Sequence, residues 1–160
     1  GQMGPVVNKE QLEEVLEYIE IGRDEGATVA AGGGVPNEKD VGYFVEPTVL
    51  VDVTNDMTVA REEIFGPVLS VIKVEDEAEA IEVANDSPFG LTSCVWTNNL
   101  SRAHRVADRL DYGMVMINET PNTWPQTPFG GTKMSGHGRA QGEEAIETYT
   151  EVKNVHVNLG

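Results

Sequence analysis

The sequence predicts an α/β fold built on a mainly parallel sheet flanked by helices, and three observations predict it. Short apolar runs rich in β-branched residues alternate with stretches of helical period, several helical stretches open on capping side chains, and clusters of Gly, Pro, Asn and Asp separate the pieces. Strands that alternate with helices pair in parallel and are covered on both faces, because each crossover helix must lie on the sheet it connects. A chain of 160 residues buries one core and is too short for two complete nucleotide-enzyme domains, so one compact unit is expected.

The elements follow in order. Asn8 and Gln11 make a capping box, and Leu12, Val15, Leu16 and Ile19 recur as one buried helical face, with Gly22 and Gly26 read as its stop. Residues 28–31 are short and apolar, Gly32-Gly33-Gly34 and Pro36-Asn37 make a loop, and the Val/Thr-rich run 47–53 suits a strand. A strand over 68–74 precedes a helix capped by Asp76 with Glu79 that reaches Ala84, and 86–90 is turn chemistry. Then come a strand over 91–97, a helix opened by Asn98 or Asn99 with Leu100, Ala103, Ala107 and Leu110 on one face, and a strand over 113–118. Residues 119–138 read as a long packed loop without helix or strand, and 141–149 as a short helix. At the end Val155, Val157 and Leu159 alternate with Asn154, His156 and Asn158, which predicts a half-exposed strand able to pair with another chain.

Composition excludes several function classes. With 27 acidic against 11 basic residues the formal charge is -16, a field that repels phosphate backbones and anionic headgroups, so neither nucleic acid nor membrane is an expected partner. Apolar runs fall far short of a membrane span and no secretory signal pattern opens the chain, so a soluble, cytoplasmic protein is expected. A high-salt-adapted source and an ordinary acidic enzyme both fit the charge. One cysteine, Cys94, rules out an internal disulfide framework, and His104, His137 and His156 form no metal-ligating spacing.

From the residues alone no nucleophile–base pair, metal cluster or phosphate loop emerges; the reading stops at an acidic α/β domain with a Gly-rich functional loop. Motifs extend it. Glu62-Glu63-Ile64-Phe65-Gly66-Pro67 ahead of an apolar strand, and the run from Pro128-Phe129-Gly130-Gly131-Thr132-Lys133 through Met134-Ser135-Gly136-His137-Gly138-Arg139, resemble segments of aldehyde dehydrogenases. Met3-Gly4-Pro5-Val6, Gly42-Tyr43-Phe44-Val45-Glu46-Pro47-Thr48, Asn85-Asp86-Ser87-Pro88-Phe89-Gly90-Leu91 and Tyr149-Thr150-Glu151-Val152-Lys153 arrive in the same order. The resemblance covers essentially the whole chain.

That resemblance implies the C-terminal part of the family's catalytic domain over 1–150, and an oligomerisation strand over 151–160 that joins a neighbouring subunit. It implies an intact enzyme that oxidises an aldehyde to a carboxylic acid with NAD or NADP, through thiolate attack, hydride transfer and thioester hydrolysis. On the matching positions Glu63 holds the nicotinamide-ribose hydroxyls and Phe65 flanks the nicotinamide ring. Phe129 is a wall of the substrate tunnel, and Thr123 and Trp124 shape its mouth. The glycines at 130, 131, 136 and 138 serve tight turns, since no preceding strand makes them a phosphate cradle. Cys94, inside an apolar run, matches a small packed residue; the family's nucleophile, general base and dinucleotide fold lie upstream of residue 1. No catalytic residue is therefore expected here, nor a cofactor bound by this chain alone. A CoA-acylating semialdehyde dehydrogenase and a non-catalytic subunit that only associates are the alternatives.

Overall fold

The structure, a computed structural model, describes residues 3–36 and 42–160. Asn37 of the predicted glycine-proline loop lies outside them. The α/β class holds, but the chain divides into two compact units, Gly1–Asp76 and Glu77–Gly160, where its length suggested one.

The first unit opens with helix α1, Lys9–Glu25. Asn8 caps it by accepting from the Gln11 backbone N–H at 2.8 Å, whereas the Gln11 side chain does not reach back and instead donates to the carbonyl of Ile64 at 3.3 Å. The helix stops at Gly26, whose φ of 110° needs glycine, while Gly22, expected to share in the stop, lies buried inside the helix. Strand β1 is Thr28–Ala31, β2 is Thr48–Val51, helix α2 is Thr58–Arg61 and β3 is Val68–Ser70. β1 pairs antiparallel with β2, with a register shift between Val29 and Ala31, and β2 pairs parallel with β3. Val15, Ile19 and Leu50 are fully buried, each worth about 1.5–3 kcal/mol of burial. Val29, Ile64 and Val68 pack against both apolar clusters of this core. The buried Thr48 hydroxyl donates to the carbonyl of Glu46 at 2.8 Å and accepts from the N–H of Gly33 at 3.0 Å, so its polarity carries no penalty.

The second unit contains α3 (Glu77–Asn85), β4 (Phe89–Gly90), β5 (Thr92–Val95), α4 (Leu100–Arg109), β6 (Met114–Ile117), β7 (Thr132–Lys133) and α5 (Ala145–Tyr149). β5 and β6 pair in parallel across the α4 crossover, as the alternation predicts. Asn99 caps α4 by accepting from the Arg102 N–H at 2.9 Å. Ala103 is buried, but Leu100, expected on the same face, is 71% exposed.

The mainly parallel sheet is replaced by three small ones among the described residues, of orders β1-β2-β3, β4-β7 and β5-β6, with parallel and antiparallel pairings equally represented. Parallel pairing survives where a helix connects consecutive strands, as α2 does for β2 and β3 and α4 for β5 and β6. β7 is unforeseen because two residues carry no period. The alternating tail forms no strand: 151–160 are exposed and without secondary structure. A strand exists only against a neighbour that completes its hydrogen bonds, and among the described residues the tail has none.

Candidate functional site

One face of α1 organises the segment that carries Glu63 and Phe65. Residues 11, 15, 18, 22 and 25 recur at steps of four and three and therefore line one side of the helix. The Glu25 carboxylate accepts from the backbone N–H of Thr58 at 2.7 Å and from its hydroxyl at 2.6 Å. It thereby supplies the cap that Met57, at the N-cap position of α2, lacks. Gly22 lets α2 and β2 come close, since a Cβ there would stand 3.1 Å from both Val59 Cγ1 and Leu50 Cδ1. The Tyr18 hydroxyl donates to Glu62 Oε2 at 2.7 Å. Val15 occupies the space over Gly66, where a Cβ would meet Val15 Cγ2 at 2.5 Å, and Gln11 holds the carbonyl of Ile64. Five positions of one helix thus read residues 58–66 almost end to end.

Between these anchors Glu63 and Phe65 face outward. The Glu63 carboxylate is exposed and makes no hydrogen bond or ion pair among the described residues. Phe65 is 72% exposed and holds a φ of 52°, a left-handed conformation that costs a bulky residue on the order of 1–3 kcal/mol. Its ring, with Met3, Pro5, Val6, Gln11 and Pro67, lines an open, largely apolar cleft of about 660 Å³. The hydrogen bond to Glu62, then slight burial, then the charges of Glu62, Glu14 and Glu17 push the Tyr18 hydroxyl above the ordinary tyrosine value. Tyr18 therefore remains a donor through neutral pH.

The glycine loop is closed by backbone contact and polar pins. Phe129, half-buried, exchanges two backbone hydrogen bonds with Ala140, at 2.6 and 2.8 Å. Arg139 donates to the carbonyls of Gly131 at 2.8 Å and Gly138 at 2.7 Å, and the Gly90 N–H donates to Ser135 Oγ at 2.9 Å. Lys133, itself at a φ of 52°, donates to the carbonyl of Asn85 at 2.7 Å, with Asp111 at 3.6 Å and the Tyr112 ring centroid at 5.7 Å. Gly113 is required by close approach: a Cβ there would fall 1.8 Å from the carbonyl oxygen of Gly130. Gly136 and Gly138 have φ of 127° and 73°, the tight turns expected of them. Thr123 and Trp124 lie in exposed irregular chain, Trp124 with 57% of its surface open, and the carbonyl of Trp124 accepts from the N–H of Thr127 at 3.0 Å.

The candidates therefore fall into two sets. Glu63 and Phe65 share one segment of the first unit; Thr123, Trp124 and Phe129 belong to a continuous loop of the second. Cys94 departs from expectation, because it is exposed rather than packed: β5 and β6 form a sheet of two strands, and the face bearing the thiol is uncovered within this chain. His104, His137 and His156 are exposed, and no group of three metal-ligating side chains assembles among the described residues. Sequence reading missed Tyr18 and Glu25. Their signal was the four-three spacing, hidden because the stripe mixes Gln, Val, Tyr, Gly and Glu instead of repeating apolar residues.

Comparison with known proteins locates this architecture. The family model described as Aldehyde dehydrogenase family matches residues 1–155. A betaine aldehyde dehydrogenase of Rhizobium etli is 55% identical over 161 aligned positions, which cover 99% of this chain and 33% of that protein. One from Brucella anthropi is 52% identical, again over 99% of this chain and 33% of its own length. Among solved structures, the NAD+ complex of an aldehyde dehydrogenase from Bacillus cereus superposes with a TM-score of 0.93 at 53% identity, covering 99% of this chain and 32% of that one. A betaine aldehyde dehydrogenase from Staphylococcus aureus in complex with NAD+ gives 0.89 at 42% identity, over 92% of this chain and 30% of that one. The chain spans about a third of the length of the curated relatives it matches.

Proposed function

The chain belongs to the aldehyde dehydrogenase family, and from that premise we propose that it is the portion of an NAD(P)-dependent enzyme that faces the nicotinamide and the aldehyde. The observation that carries this reading is the segment Glu63-Ile64-Phe65: an unpaired carboxylate and an exposed ring, the ring held in strained left-handed backbone at the rim of an apolar cleft. Strain of this kind persists only where the surroundings impose it, and it gathers at functional positions.

The residues present fit the nicotinamide half of a dinucleotide. Glu63 would accept from the two ribose hydroxyls, as a carboxylate with two oxygens can. Phe65 would offer its flat apolar face to the ring. When bound, the dinucleotide supplies the hydride acceptor for oxidation of the aldehyde. NAD is favoured over NADP by the relatives solved with NAD+. This chain's own contribution is to orient the cofactor and, through Phe129, to exclude water from the aldehyde side.

The names of the relatives favour betaine aldehyde, whose quaternary ammonium suits an aromatic face, and the open ring of Trp124 supplies one. The nucleophile is assigned upstream of residue 1, so the chain alone does not turn over. The tail 151–160, with Val155, Val157 and Leu159 all exposed, is proposed to pair with a neighbouring copy. In the full-length enzyme Glu63→Gln is expected to raise KM for NAD about tenfold, the loss of one charge-assisted hydrogen bond. Trp124→Ala should raise KM for betaine aldehyde more than for propanal. An unchanged KM for NAD in Glu63→Gln contradicts the cofactor assignment.

A further inference from the structure

We infer that Tyr18 is a positioning residue for the cofactor: its hydroxyl, bound to Glu62, fixes the backbone from which Glu63 and Phe65 project. The inference rests on the cofactor reading above and adds a residue to it. Glu62 is the first residue after α2, its own N–H bonded back to the carbonyl of Thr58 at 3.0 Å. Beyond it the chain leaves helical hydrogen bonding and must enter the left-handed turn at Phe65 within three residues. A segment of this kind samples many conformations unless its flanks are tied. Upstream the tie is the Tyr18–Glu62 hydrogen bond of 2.7 Å; downstream it is the Gln11 amide on the carbonyl of Ile64, with Val15 pressed over Gly66.

The geometry separates the two glutamates by role. Glu62 is engaged by a side chain of α1, whereas Glu63 is exposed and unengaged among the described residues. Without the phenol hydroxyl, Glu62 loses its partner, and two adjacent carboxylates can exchange places at the surface. The hydroxyl thus selects which carboxylate is presented. Glu14 and Glu17, on the same helix, line the small groove beside Tyr18 together with Thr58 and Glu62. They repel a Glu62 carboxylate that has lost its donor, which favours its release from α1.

The test compares Tyr18→Phe, Glu63→Gln and the double variant in the full-length enzyme, with kcat and KM for NAD measured separately. Tyr18→Phe is expected to raise KM for NAD about fivefold, to hold kcat within about twofold, and to add nothing to Glu63→Gln in the double variant. A bond of merely structural value would lower thermal stability or the amount of active enzyme and leave KM where it was. An unchanged KM in Tyr18→Phe, or effects that multiply in the double variant, overturns the inference. A second readout separates it from the cofactor reading: 15N relaxation of the full-length enzyme without cofactor should show order parameters at Glu63 and Phe65 falling from about 0.85 toward 0.6 in Tyr18→Phe. If Glu63→Gln leaves KM unchanged, the cofactor reading fails, and the positioning of 62–65 stands or falls on those order parameters alone.

Discussion

The first unit buries Val15, Ile19 and Leu50 completely and adds Ala27, Val45, Val53 and Val59 to the same interior, whereas in the second the buried apolar side chains among the described residues are Ile81 and Ala103. The two units accordingly hold their functional candidates by different means. In the first, a helix with a packed face serves as a ruler, and residues some forty positions away are set against it by one contact per turn. In the second, the loop bearing Phe129 is closed by backbone lying directly on backbone, as Gly113 does on Gly130, and by Lys133 and Arg139 donating to carbonyls. A unit with little apolar interior must satisfy its backbone more completely, because it has less burial to offset an error.

The largest way to break this contrast is Gly113→Ala. Its Cβ meets backbone that cannot swing aside, so the variant is expected to lose about 3 kcal/mol in urea unfolding. A loss below about 1 kcal/mol would mean that the loop tolerates separation and is not held by close approach. Glu25→Ala probes the other mechanism. It removes both hydrogen bonds to Thr58 and should cost about 1 kcal/mol, near the value of an ordinary cap, since the apolar face of α1 remains.

The smallest effect is electrostatic. Glu77 on α3 accepts from Arg105 at 2.7 Å and Arg102 at 3.0 Å on α4, and the Arg105 hydrogen bonds, with help from Arg102, hold its carboxyl at about 2 against an ordinary 4.5. The folded value lies below the unfolded one, so the pair adds stability that is complete above 4.5 and disappears as pH falls toward 2. Acid unfolding of Glu77→Gln should be flatter than wild type across that window. The two arginines are more than half open to solvent, which screens the pair, so the difference is small; identical profiles would show that the α3–α4 contact does not depend on the charge.

Much of the fold was legible because it is local. Asn8 and Asn99 cap the helices whose periods follow them, and the β5–α4–β6 crossover follows from two apolar runs flanking a helical one. α2 was not legible: it has four residues, no cap of its own, and a carboxylate from Glu25, far away in sequence, in place of one. The same is true of β7, whose two residues acquire strand geometry only beside β4. The tail shows the reverse, an alternation that names a strand while the described residues offer nothing to pair with it. Of the site, Glu63, Phe65 and Phe129 were named by resemblance to a family, not by spacing. Tyr18 and Glu25, which hold Glu62 and Thr58 against α1, carry a pattern that hydrophobic period cannot see, since their contacts are polar. Cys94 misled because an apolar run suggests cover on both sides, and a two-stranded sheet leaves one side open.

The central claim is that this chain orients cofactor and aldehyde but holds no nucleophile. Aldehyde-dependent reduction of NAD and NADP, measured for the 160-residue chain beside a version extended upstream through the nucleophile loop and nucleotide domain, tests it most directly. The account predicts turnover by the extended protein alone, slowed by Glu63→Gln; turnover by the short chain that is lost in Cys94→Ser would contradict it.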